Sequence, residues 1–255
     1  MPAPSLEERW AGLRAPGIEV PAFDPATTHS LPDPARRFLR RAVTDGAPLA
    51  PAVELEMVGA IKLGPRWFPF TARQILRRNV GLIWQATVGG HILRFKGADT
   101  LGPDGARLDF KLHGLIPVAR ATGIDVLKSA RGRLAAETVA WLPQALTPQL
   151  GTRWHPIDDH HARVAVPVGD EVVVYVEVAV DDNGVLNEIA LQRWNDSAKP
   201  PRAVPFGASI TMEHITRDGV RIAGGGSVAW EWGTPAESAG EFFRYTITSA
   251  RFVGL

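Results

Sequence analysis

Cysteine is missing from this chain of 255 residues. Its absence excludes disulfides, thiolate metal sites and cysteine nucleophiles outright. Also missing is any apolar run near the ~20 residues that a membrane-spanning helix needs. The opening stretch, MPAPSLEERWAGLRAPG, lacks the basic-then-apolar pattern of an export signal, and the expectation is a soluble, cytoplasmic protein. Charge of one sign is lacking too. The chain has 28 Lys and Arg against 27 Asp and Glu, a net charge of +1, which offers no electrostatic case for nucleic acid. Gly-x-Ser-x-Gly is absent, so no nucleophile elbow is present. GADTLG and AGGGSV neither end in Gly-Lys-Ser/Thr nor open a helix, and are not phosphate loops. There are no repeats at solenoid periods. By subtraction this is a globular chain with no recognised catalytic motif, and neither a cofactor nor a metal is expected.

What is present is a large apolar load, 45% of the residues with eight tryptophans, and one long helical pattern among strands. In TGIDVLKSARGRLAAETVAWLPQAL (Thr122–Leu146), Ile124, Leu127, Leu134, Thr138, Trp141 and Leu142 recur at three- and four-residue steps and share a face. Thr122 with Asp125 resembles a capping box. Gly132 costs roughly 1 kcal/mol against Ala in a helix interior, and Pro143 removes a hydrogen bond. The pattern therefore predicts a bent helix or two helical pieces. Arg133, Glu137 and Trp141 stack on successive turns, with Arg133 and Glu137 spaced to pair.

Residues 1–32 are rich in proline and alanine and predict a surface arm with a short helical phrase, SLEERWAGL, anchored by Trp10. Asp33-Pro34 opens a second helix. Its apolar residues are Ala35, Phe38, Leu39, Ala42 and Val43; Arg36, Arg37, Arg40 and Arg41 fall on the other side, as solvated charges. From Pro51 the texture changes to period-two alternation. Phe68, Phe70, Ala72 and Gln74 form one such face, and turn signals at Gly89-Gly90 and Pro103-Asp104-Gly105 separate about five strands. About six or seven more follow the helix. EVVVYVEVAV carries Val172, Val174, Val176, Val178 and Val180 on one face, while Val173, Tyr175 and Ala179 make the other face mostly apolar. Such a strand is expected to be covered on both sides or to line an apolar cavity. A proline-rich loop at residues 195–205 is expected to break the sheet, and Gly224–Gly226 predicts a bulge.

Strands do not alternate with helices, which argues against a parallel α/β sheet. The predicted fold is mainly β: residues 33–255 form a single half barrel, a strongly curved antiparallel sheet of about 11 strands. A bent central helix lies in its concave face, with two short N-terminal helices.

His155, Asp158, Asp159, His160 and His161 suggest a metal site. Adjacent strand residues point to opposite faces, however, and a polar turn is the better reading. His91, His113 and His214 are isolated. The constellation of most interest is the Arg133–Glu137–Trp141 ladder with Arg193 as a third polar member. These groups are placed to hold the polar head of a ligand whose apolar part lies among Trp84, Trp141 and Trp230. The competing reading is a structural ion pair between helix and sheet. The function expected is non-catalytic binding of a small hydrophobic or amphipathic, lipid-like molecule. The alternatives are an enzyme on a similar ligand with Glu137 as acid or base, or a protein-interaction module. Ligand identity and oligomeric state stay open.

Several phrases also resemble a bacterial family of unknown function. They are LPDPARRFLRRA, the spacing Trp67–Ala72–Gln74, Arg133–Glu137–Trp141–Pro143, Trp154–Asp158, and a terminal strand pair with Trp230. The order of elements is similar to the half barrel of bacterial lipoprotein carriers, and that likeness implies acyl chains held between a curved sheet and helices.

Overall fold

A computed structural model describes residues 4–17, 20–91, 93–169 and 171–255; residues 1–3, 18 and 19 of the expected arm lie outside them. Six strands precede the central helix: β1 (Ala52–Leu63), β2 (Arg66–Arg77), β3 (Gly81–Gly89), β4 (Arg94–Gly102), β5 (Gly105–Leu112) and β6 (Ile116–Thr122). Seven follow it: β7 (Arg153–Pro156), β8 (His161–Pro167), β9 (Val173–Val180), β10 (Leu186–Asn195), β11 (Arg202–Ile215), β12 (Arg221–Trp230) and β13 (Glu241–Val253). The described residues thus hold thirteen strands rather than about eleven, in one open antiparallel sheet of order β6-β5-β4-β3-β2-β1-β13-β12-β11-β10-β9-β8-β7. β6 pairs with β5 at one edge.

This order explains the central helix. Each half is a meander, and β1 and β13 join the halves at the middle. The chain therefore passes from one edge of the sheet, β6, to the opposite edge, β7, and it does so across the concave side. Twelve interstrand gaps of roughly 4.8 Å would set the edges of a flat sheet nearly 60 Å apart, about twice the length of an 18-residue helix at ~1.5 Å per residue. Curvature brings the edges within reach of the connection.

That helix, α3 (Ile124–Trp141), is continuous. The expected break at Gly132 does not occur, because this glycine serves close packing: a Cβ there would lie 2.9 Å from Cγ of Arg193. Pro143 ends the helix and starts a 3-10 turn, Pro143–Leu146. Thr122 does not cap it; Gly123, at φ +108°, precedes the first turn without a side-chain cap. Ile124, expected on the inner face, is 61% exposed at the helix start.

Two shorter helices cover opposite surfaces. The first, α1 (Leu6–Arg14), begins with a Ser5–Glu8 capping box and buries Trp10 and Leu13 against Ala52, Ile75, Ile83 and Val253 on the convex face. Trp10 Nε1 donates to Glu54 Oε1 at 2.8 Å. The second, α2 (Asp33–Ala42), starts with Asp33 inside its first turn. It buries Ala35, Phe38, Leu39 and Ala42 in the concave core. Two of its four arginines are not simply solvated. Arg41 Nε and Nη2 donate to the two oxygens of Glu213 (2.8 and 2.6 Å), and Arg37 donates to the carbonyls of Asp181 and Asp159.

The valine-rich strand β9 corrects the sequence reading. Val176, Val178 and Val180 are buried at 1% exposure or less, but Val173 and Tyr175 on the other face are 48% and 55% exposed. Apolar character on both faces did not mean cover on both. The 195–205 loop shortens to residues 196–201, since β10 and β11 pair out to Asn195 and Arg202. The bulge at the glycine run is present: the β11–β12 register shifts around Met212, opposite Gly225.

Candidate functional site

Between α3 and the concave face lies a cavity of about 590 Å³. On the helix its wall is one stripe, Val126, Ser129, Ala130, Arg133, Ala136, Glu137, Ala140 and Trp141, at the three- and four-residue spacing of a single face. The sheet contributes Trp84, Phe95, Asp99 and Phe110 from the first half and Ile189, Arg193, Phe206, Trp230 and Phe243 from the second. Exposed residues Leu63, Val118 and Ser197 mark where it opens. β9 contributes nothing to it. All six residues singled out in the sequence, Trp84, Arg133, Glu137, Trp141, Arg193 and Trp230, line this one cavity.

The polar centre rests on strand register. Gln74, Trp84 and Asp99 sit directly opposite one another on β2, β3 and β4, forming a row across the concave face. The Arg133 guanidinium lies above that row, 5.5 Å from the Trp84 ring centre. Its Nη1 donates to Asp99 Oδ2 and its Nε to Glu137 Oε1, both at 2.6 Å, while Nη2 reaches Gln74 Oε1 at 3.4 Å. Gln74 Nε2 donates in turn to Glu137 Oε2 at 2.6 Å. The three charged side chains are only 13–21% exposed. Burial opposes the charge on Arg133, but Glu137 and Asp99 together outweigh it and raise its pKa. Both oxygens of Glu137 are engaged, and no histidine lines the cavity among the described residues. This leaves Glu137 poorly placed to exchange protons with a ligand.

Arg193 is held differently. Its guanidinium lies 4.5 Å from the Phe206 ring centre and 4.9 Å from that of Trp230. Nε donates to the Ser129 carbonyl at 3.1 Å and Nη2 reaches Ser129 Oγ at 3.5 Å. Burial, and then the charge of Arg133, lower its pKa to about 10 despite Asp99, Glu137 and Asp196 nearby.

Aromatic rings make most of the remaining wall. Trp84 meets Phe70, Phe110 and Phe243 at 5.7–6.1 Å between ring centres, and Trp230 packs on Phe206 and Phe242. Trp141 is 4% exposed. It donates to the Ala223 carbonyl at 3.1 Å and meets Tyr245 edge-on at 5.5 Å. Burial, and then the charge of Glu137, push the Tyr245 phenol above its ordinary range.

Sequence reasoning missed Asp99 and Gln74 as parts of this centre. Both carried a signal. Asp99 shares the inward parity of Phe95 and Leu101, and Gln74 that of Phe70 and Ala72; a polar residue on an apolar face marks a buried partner. The histidine-rich segment forms a turn, in which Asp158 Oδ1 accepts from the backbone N–H groups of His160 and His161. Among the described residues no helix is long and apolar enough to cross a membrane.

No curated protein matches the chain. Among solved structures it is similar to a LolA superfamily protein from Nitrosomonas europaea, with 10% identity over 87% of this chain and 93% of that one at a TM-score of 0.45. It is also similar to a DUF1329 family protein from Desulfovibrio piger, with 12% identity over 90% of this chain and 94% of that one at a TM-score of 0.42. One family model covers residues 21–242, a span that includes α2, the whole of α3 and all six residues above, and by that match the chain belongs to DUF6544, a family of unknown function.

Proposed function

We propose that the protein binds a small hydrophobic or amphipathic molecule, lipid-like in character, between α3 and the concave sheet, without catalysing a reaction on it. The observation that carries this reading is the cavity itself. Its 590 Å³ falls within the ~300–1,000 Å³ of small-molecule sites, and apolar walls with a few placed polar groups are their usual composition. Each methylene buried there is worth about 0.8 kcal/mol. The engagement of both Glu137 oxygens supports binding over turnover.

Native mass spectrometry of protein purified from a bacterial host should reveal a co-purifying mass that organic extraction removes. The uncharged fluorophore N-phenyl-1-naphthylamine should bind the extracted protein. Ala208→Phe, which adds bulk from β11 into the cavity, should weaken that binding at least about tenfold, or ~1.4 kcal/mol. Equal binding by both proteins would overturn the reading.

A further inference from the structure

Within the cavity the two arginines differ in what remains to be satisfied. Arg133 has a partner at every nitrogen: Glu137, Asp99 and Gln74. Arg193 has no carboxylate within 4 Å among the described residues, and Ser129 supplies its only hydrogen-bond acceptors. Among the described residues Nη1 has no protein acceptor. Arg193 is partly buried, and a guanidinium drawn out of water is costly unless it is paired, yet the fold makes specific room for this one. Gly132, in the interior of α3, leaves the space through which the Arg193 stem passes, and it does so where glycine costs about 1 kcal/mol of helix stability. Phe206 and Trp230 then fix the guanidinium.

We propose that Arg193 receives the oxyanion head, a carboxylate or phosphate, of a ligand with a single apolar chain lying among the cavity's aromatic rings. This rests on the cavity being a binding site and names the class of molecule it takes. Arginine presents paired N–H donors that match both oxyanions. The lowered pKa of about 10 still leaves Arg193 charged at neutral pH. Asp99 and Glu137 do not repel the head strongly, because Arg133 already offsets them; Asp196 lies nearby but beyond pairing distance. The size of the cavity suits a single chain: its 590 Å³ lies mid-range among sites that take one small molecule, roughly 300–1,000 Å³.

The test is displacement of N-phenyl-1-naphthylamine from the 255-residue chain by dodecanoate, dodecyl phosphate and 1-dodecanol at neutral pH. At least one anion should bind about 10- to 100-fold more tightly than the alcohol, the range of a hydrogen bond to a charged group; which anion wins identifies the head. In Arg193→Gln that preference should fall to near unity, and Arg193→Lys should restore part of it. Equal binding of anions and alcohol to the wild type would overturn the proposal while leaving the cavity a site for neutral ligands. Failure of all three to compete with a fluorophore that Ala208→Phe excludes would also overturn it. A fluorophore that binds wild type and Ala208→Phe alike would bring down the binding site itself. A preference kept in Arg193→Gln would assign the head to another residue. Should Arg193→Gln not fold, the wild type decides alone: the preference for dodecanoate should vanish once the acid is protonated below about pH 4, and persistence there would refute the anion.

Discussion

The two ends of the concave side are built from the same sheet and crossed by the same helix, yet one is packed solid and the other is hollow. At the packed end, Phe38 and Leu39 of α2, Leu142 and Leu146 beyond α3, and Val176 and Val178 of β9 are all at most 4% exposed. At the hollow end the inner face carries Phe95, Phe110, Phe242 and Phe243, and these rings are only partly buried. The difference lies in α2. It plugs the sheet on the β8–β9–β12 side, and among the described residues no equivalent helix fills the side of β4, β5 and β6. Large aromatic side chains line the cavity there, and the polar group of Arg133, Glu137, Asp99 and Gln74 links α3 to the sheet. A protein selected only for stability would close such a space.

The contrast has a direct mechanical test. Leu142→Ala at the packed end should cost about 3–5 kcal/mol, the range for a fully buried leucine that leaves a cavity. Leu108→Ala, on the cavity wall in β5, should cost about 1 kcal/mol or less, since it enlarges an existing space rather than opening a new one. Urea midpoints at constant m-value would measure both. Equal losses would mean that the hollow end is packed in solution. The next effect falls on the bridge between the ends. Arg133→Met leaves Glu137 and Asp99 as largely buried carboxylates without their counter-ion, and should destabilise by roughly 3 kcal/mol. A double variant, Arg133→Met with Glu137→Gln, should recover part of that loss. If it recovers nothing, the arginine acts through packing on Trp84 rather than through charge.

How far the sequence disclosed this arrangement follows from what kind of contact was involved. Contacts along one helix were legible: the Arg133–Glu137 pair and the position of Trp141 follow from steps of four. Alternation made Phe68 to Gln74 and the hairpin turns readable as well. Contacts that depend on strand register were not. The opposition of Gln74, Trp84 and Asp99 needs two hairpins aligned to the residue, and a shift of one position would turn Asp99 to solvent. Gly132 illustrates the same limit. In the sequence it reads as a helix breaker, and only the crossing of Arg193 from β10 shows it to be a seat. β9 failed in the opposite sense. Its composition invited cover on both faces, yet an edge region of a large open sheet tolerates exposed Val173 and Tyr175, because much of any protein surface is apolar.

The smallest effect concerns the outside of the sheet, and it serves as a control on the comparison. Glu54, on the convex face of β1, accepts from Trp10, Arg14 and Arg251. Burial works against its charge, but these donors outweigh it and hold its carboxyl below the ordinary range. A group with a depressed folded pKa adds stability above its unfolded pKa, about 4.3 for glutamate, and loses it as pH falls through the folded value. Both arginines are about half exposed or more, which limits the contribution to about 1 kcal/mol. Glu54→Gln should therefore be slightly less stable than wild type at pH 7, with the two converging as pH drops below 4. Fluorophore binding in the cavity should be the same in both at neutral pH, because α1 braces the face opposite the one that lines the site. A change in binding with Glu54→Gln would mean that the hollow end is held open from outside, and that its shape belongs to the whole curved sheet rather than to the rings within it.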